Sequence, residues 1–260
     1  MQNWTWKLLV MICLVLVGIL LFPLGVIIPA SFDNKSMLTF PPETWSLRWY
    51  ETVLKDPEWR DAVTNSLLVA SAATVITLCL FVPAGVALGL TEKPRWLISV
   101  FMSPFILPPL VLAMGMYGSL GDLRNTFWAL PIAHSVFASP IVVLILRNVT
   151  RTISRSSVEA AAIHGAKPRK ILSTIVLPEI LPAVVASALL TFLLSFNEPI
   201  FSLYLSTPWN QTLPVRIWGS LRFDVSPAAA VVGTLSMIFS AAMLVVIIRF
   251  VARTLKRVQM

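Results

Sequence analysis

Six stretches of this 260-residue chain each run for between 18 and 30 residues without a charged side chain: Leu8–Phe32, Ala62–Thr91, Trp96–Gly121, Asn125–Leu146, Ile180–Asn197 and Val225–Ile248. A helix needs about 20 apolar residues to cross the hydrocarbon core of a bilayer, and it satisfies all its backbone polar groups internally. Membrane β-strands are about 10 residues long and alternate apolar with polar positions, a pattern absent from these windows. The expected fold is therefore all-α: a polytopic membrane protein with six transmembrane helices at about 8–32, 62–90, 96–120, 126–147, 179–205 and 226–249, forming a single transmembrane domain over 1–260. Only 12% of the residues are charged, against about 25% in soluble domains, and the mean hydropathy of +0.83 points the same way.

The first window is longer than the apolar core of a signal peptide, about 7–15 residues, and no small-residue cleavage site follows it, so it reads as a retained first helix. The net charge of +8 follows the topology. With both termini in the cytoplasm, the cytoplasmic segments hold 13 cations against Glu92, Glu159 and Glu179, whereas the external segments hold seven cations and eight acids. That is the positive-inside bias, and it removes the case for nucleic acid as the partner of the positive charge. Cys13 and Cys79 both fall in apolar spans and read as small core residues, neither a disulfide nor a metal pair. His134 stands alone in the fourth span and His164 alone in a loop, so neither is expected to ligate a metal, and no Cys/His cluster has metal spacing.

The longest external loop, 33–61, carries Pro41-Pro42, Trp45, Trp49 and Tyr50 with a net acidic balance. It reads as a surface loop anchored by its aromatics at the headgroup level, or as a short interfacial helix over Thr44–Val53. The turn Glu92-Lys93-Pro94-Arg95 makes spans two and three a hairpin, and Gly85-x-x-x-Gly89 would allow close approach of another helix. Prolines at 23, 83, 104, 108, 109, 131, 140, 182 and 199 interrupt the spans. Each removes a donor and can kink its helix. No repeat divides the chain into similar halves, which argues against an inverted-repeat transporter.

One acid lies deep in an apolar stretch, within Ser195-Phe196-Asn197-Glu198-Pro199. An acid at the centre of a membrane helix costs about 3 kcal/mol, so it faces a cavity or a partner. Ser187, Thr191, Ser195, Glu198 and Ser202 fall within about 80° of one another on a helical wheel. Together with Asn197, they are the candidate substrate path. The competing reading has the hydroxyls bonded to their own helix and Glu198 paired with Arg216 or Arg222, or wetted at the external interface.

Between the fourth and fifth spans lies a basic loop, 150–178. Ser156-Ser157-Val158-Glu159 has the form of a capping box, opening a short helix over Val158–His164 that Gly165 ends. Pro168 fits the first turn of a second short helix, and Pro178 marks entry into the fifth span. The expected shape is a helix–turn–helix on the cytoplasmic surface, with a small Ala160-Ala161-Ala162 face among Arg151, Arg155, Lys167, Arg169 and Lys170.

The spacing Glu159-Ala160-Ala161, Gly165, then Ile175, Leu177 and Pro178 resembles the EAA loop of bacterial ATP-binding-cassette importer permeases, with every fixed position filled. The resemblance extends along nearly the whole chain. The later run Thr212-Leu213-Pro214, Ile217 and Arg222-Phe223 is similar to the second permease of spermidine/putrescine-type importers, although Asn197 stands where family members often carry Asp. It implies the type I importer permease fold, multi-pass in the bacterial inner membrane with both termini cytoplasmic, and no covalent chemistry. Glu159, Ala160, Ala161 and Gly165 would dock the ATPase.

The implied partners are two ATPase subunits, a second permease subunit and a periplasmic solute-binding protein, with surrounding lipid and no nucleic acid. ATP and Mg would be held by the ATPase, since this chain lacks G-x-x-x-x-G-K-[ST]. No catalytic residue and no bound cofactor is expected here. The implied solute is a polyamine or related amine, with opines, amino acids and aminophosphonates as alternatives in the same family. An ion channel or secondary transporter is a more distant reading. A membrane hydrolase is disfavoured because G-x-S-x-G and H-E-x-x-H are absent.

Overall fold

The computed structural model describes residues 2–37, 40–91, 95–223 and 226–258, and the described chain is helical. It forms two compact units, one of Met1–Arg60 with Arg216–Phe239, the other of Asp61–Val215 with Ser240–Met260. Among the described residues, five helices are long and apolar enough to span a membrane, or six if one bent pair counts as a single span.

In the first unit, α1 (Gln2–Ala30) is apolar on all sides and its side chains are exposed along most of its length. Its end is tied down by Ser31, whose hydroxyl donates to the Ile28 carbonyl at 2.6 Å and is hydrogen-bonded to the Tyr50 hydroxyl at 2.7 Å. Phe32 stacks against Trp45 and Tyr50, with centroids 5.8 and 5.1 Å apart. The Trp49 indole donates to the Lys35 carbonyl at 2.9 Å. Of the two readings of this loop, the alternative of a short helix within Thr44–Val53 is the one nearer the structure, which has α2 (Arg48–Lys55), and Trp49 and Tyr50 hold the loop to itself. The next helix, α3 (Pro57–Leu90), starts five residues before the charge-free window. Arg216 pairs with Glu58 and lies over the Trp59 ring.

In the second unit, α3 is followed by α4 (Arg95–Ile106) and α5 (Pro109–Ser119). The expected turn at Glu92-Lys93-Pro94 lies outside the described residues. The third span is not the single helix expected over 96–120, because α4 and α5 meet at 98°. Pro108 and Pro109 supply no amides to continue the ladder, and a residue before proline is driven out of the helical region, so the helix stops at Ile106 and restarts with Pro109 in its first turn.

The central element is α6 (Ala129–Arg151), with Leu130, Ala133, Val142, Val143 and Leu146 wholly buried. Gly85 and Gly89 of α3 meet it at close range. A Cβ at Gly85 would lie 2.8 Å from the Leu146 Cβ, and one at Gly89 would lie 2.9 Å from the Arg147 carbonyl. Only glycine permits that approach. Cys13 and Cys79 are free and exposed, so the expectation that they are core residues fails. Both sit on helix faces that no neighbour in this chain covers.

Beyond α6 come α7 (Arg155–Ile163) and α8 (Pro168–Ile171), then a π-turn over Leu172–Val176 that runs directly into α9 (Leu177–Phe196). The second short helix of the loop and the fifth span are thus one continuous helix from Pro168 to Phe196, not two pieces joined at Pro178. Pro178 has no amide for the ladder, and the π-turn immediately before it absorbs the irregularity. The fifth span is also shorter than the expected 179–205, since the chain breaks after Phe196 and resumes as α10 (Ile200–Leu205). Two further helices, α11 (Leu213–Phe223) and α12 (Pro227–Val258), contribute residues to both units.

Candidate functional site

Two places bring the sequence-derived candidates together, and both are interruptions of helix. The first is the loop at α7. Ile153 buries its side chain in a cluster with Val142, Leu146, Val176, Ile180 and Ala183, which forces the chain to turn at once. Ser154 is the first hydroxyl after that turn, and it caps α7 by accepting from the Ser157 amide at 3.3 Å. The expected capping box of Ser156 and Glu159 is therefore wrong by two residues, and Glu159 is left exposed one turn into the helix.

The far end of α7 closes as expected. The Ala166 amide reaches the Ala161 carbonyl at 3.0 Å and the Gly165 amide the Ala162 carbonyl at 2.9 Å. This is the paired bonding of a Schellman end. Gly165 takes φ +78°, where an L side chain is strained. His164 turns back so that its Nδ1 is bonded to the Ala160 carbonyl at 2.8 Å. Glu159 and Ala160 are exposed, Ala161 is half-buried, and Val158 packs inward against the α6–α9 cluster. Ile163 is 84% exposed beside them. No sequence signal singles it out, since lone apolar surface residues are ordinary.

The second place is the break between α9 and α10. Asn197 closes α9, its side-chain amide donating to the Leu193 carbonyl at 2.9 Å and to the Ser240 hydroxyl at 3.2 Å. Pro199 cannot continue the ladder. The Glu198 carboxylate supplies what the backbone lacks, accepting from the Ile200 amide at 2.9 Å and the Phe201 amide at 2.7 Å. Glu198 is 6% exposed, and its Oε2 lies 3.8 Å from the Nε2 of His134 on α6. Of the two arginines considered from the sequence, Arg216 is bound to Glu58.

His134 is likewise not solitary. Its Nδ1 is bonded to the Ser195 hydroxyl at 2.7 Å and its Nε2 to the Ser202 hydroxyl at 3.3 Å. The signal for this partnership was present, because an ionisable side chain within a span is expected to have a partner.

The polar stripe divides. Ser187 and Thr191 are fully buried, and their hydroxyls find no hydrogen-bond partner among the described residues, so they are not bonded back to their own helix. Ser195 is committed to His134. Asn197 and Glu198 instead reach a cleft of about 440 Å³. Its lining is mostly apolar, with Phe137 and Ile141 from α6, Leu190, Leu193 and Leu194 from α9, and Pro199. Such a cleft suits a solute with an aliphatic body and one polar end.

Residues 81–257 match the family of binding-protein-dependent transport system inner membrane components. The chain is similar to the putrescine transport system permease protein PotI of Escherichia coli (strain K12), at 28% identity over 82% of this chain and 79% of PotI. It is also similar to the trehalose/maltose transport system permease protein MalG of Thermococcus litoralis, at 30% identity over 90% of this chain and 91% of MalG. Among solved structures it is similar to a bacterial ABC transporter involved in import of the acidic polysaccharide alginate. There the TM-score is 0.69 at 19% identity, over 94% of this chain and 96% of that one, a likeness of fold. The chain belongs to the family of binding-protein-dependent transport system inner membrane components.

Proposed function

We propose that this chain is one of two permease subunits of an ATP-driven importer, that it docks a separate ATPase through α7, and that it carries a small amine-bearing solute past Glu198. The observation that supports docking most strongly is the construction of α7. It offers Glu159, Ala160 and Ile163 outward, ends in a tight turn at Gly165, and is pinned by Ile153 and Val158 to the cluster joining α6 and α9. A force applied to that face passes into two membrane helices without an intervening flexible segment.

The ATPase holds ATP and Mg, and this chain carries out no hydrolysis. A periplasmic binding protein delivers the solute to the external mouth, and both termini lie in the cytoplasm. The exposed Arg151, Lys167, Arg169 and Lys170 suit acidic groups on the ATPase or anionic lipid. The solute path runs by Asn197 and Glu198, with Ser187, Thr191 and Ser195 in the layer behind them.

A polyamine or related amine fits the single acid beneath apolar walls, and similarity to a putrescine permease supports it. A neutral sugar is the second reading, because two backbone amides already occupy the Glu198 carboxylate and a trehalose/maltose permease is similarly close. The test is binding-protein-stimulated ATP hydrolysis by the reconstituted complex across putrescine, spermidine, amino-acid derivatives, trehalose and maltose. Stimulation by amines supports the first reading, whereas stimulation by sugars alone overturns it.

A further inference from the structure

We infer that His134 is a positioning residue that staples the two halves of the broken fifth span. This rests on the chain working as an importer permease, in which the fifth span is driven from the α7 loop. A single imidazole on α6 contacts both sides of the break, through Nδ1 to Ser195 in the last turn of α9 and through Nε2 to Ser202 in α10. No backbone ladder crosses Asn197–Pro199 in its place. The Leu203 amide reaches only back to the Pro199 carbonyl, and the Glu198 amide bonds to the Ser195 carbonyl at a long 3.4 Å.

The ring is fully enclosed and meets Phe201 in a T-shaped pair, and Phe201 packs in turn on Phe137 of α6. The Glu198 carboxylate sits 3.8 Å from the same Nε2 while it caps α10. The angle between α9 and α10, and with it the placing of Glu198 in the lining of the cleft, is therefore set from α6. Side-chain hydrogen bonds between membrane helices are modest individually, so the staple holds one geometry at rest and can yield when the loop is driven.

The test uses the assembled transporter with Cys13 and Cys79 changed to serine, and with spin labels at Leu181→Cys on α9 and Tyr204→Cys on α10, both exposed positions. The unaltered staple gives one narrow distance distribution. His134→Leu, which keeps bulk against Phe201 but no hydrogen bond, broadens it and lowers binding-protein-stimulated ATP hydrolysis per assembled complex by about tenfold, the scale of lost coupling. The ATPase remains bound.

His134→Gln, which retains a donor and an acceptor, recovers most of the narrow distribution. Ser195→Ala with Ser202→Ala broadens it while leaving the imidazole in place, and it carries the test if His134→Leu does not assemble. A distribution as narrow in the serine double variant as in the parent overturns the staple. Failure of the parent complex to couple ATP hydrolysis to its binding protein overturns instead the importer reading on which the staple rests.

Discussion

The α7 loop and the α9–α10 break are both ends of helices, yet they are closed by opposite means. At α7 the closing bonds are local: Ser154 caps one end, and Gly165 with the Ala161 and Ala162 carbonyls closes the other. Its working face stays exposed. At the break, the backbone is completed by a buried carboxylate, and the geometry is held by a histidine more than sixty residues earlier in the chain. A locally closed end can be pushed as a unit, which suits docking. An end closed by tertiary contacts changes whenever its neighbour moves, which suits a gate or a binding floor.

The largest effect belongs to the exposed element. Gly165→Pro removes the amide bonded to Ala162 and forbids φ +78°, and Glu159→Lys reverses charge on the docking face. Both should abolish ATP-driven uptake and release the ATPase, read as its loss from copurified complex, while the permease remains folded. Next comes Glu198→Ala. It leaves two amides of α10 unmet, at a cost of about 1–3 kcal/mol each, and should lower uptake sharply without releasing the ATPase. If uptake is normal, Glu198 is a cap and nothing more.

Gly89→Leu forces a side chain into the Arg147 carbonyl and Thr150. It should destabilise the chain by about 1–3 kcal/mol through overpacking, measured by thermal unfolding in detergent, with uptake reduced in proportion to the folded fraction. The smallest effect is expected of Ser187→Ala and Thr191→Val, which remove hydroxyls that hold no partner among the described residues. Stability should rise by about 1 kcal/mol, because a buried hydroxyl without a partner costs free energy, and a large uptake defect would move these two residues from the layer behind the path into the path itself.

Where local rules suffice, the chain could be read directly. Charge-free windows marked the long apolar helices but not the breaks within the third and fifth, Gly165 announced the end of α7, and the Gly85–Gly89 pair marked a close crossing. The paired prolines at 108 and 109 were visible, but a right-angled bend depends on what α4 and α5 pack against. The α7 cap was misplaced because its start is set by burial of Ile153, a tertiary contact that displaced a good local motif. His134 could not be paired from spacing, since its partners lie on other helices. Ile163 was overlooked because an apolar residue in a membrane protein draws no notice until its exposure is known.

Coupling to ATP turns on whether the α7 face carries an ATPase. Cross-linking from a single cysteine at Ile163, in a chain with Cys13 and Cys79 replaced, measures this in native membranes. The expected result is one adduct with the ATPase subunit that changes in yield when ATP is added and disappears when Gly165→Pro is introduced. A chain that transports with full activity while Ile163→Cys forms no ATPase adduct, or keeps the adduct and its uptake despite Gly165→Pro, would contradict it.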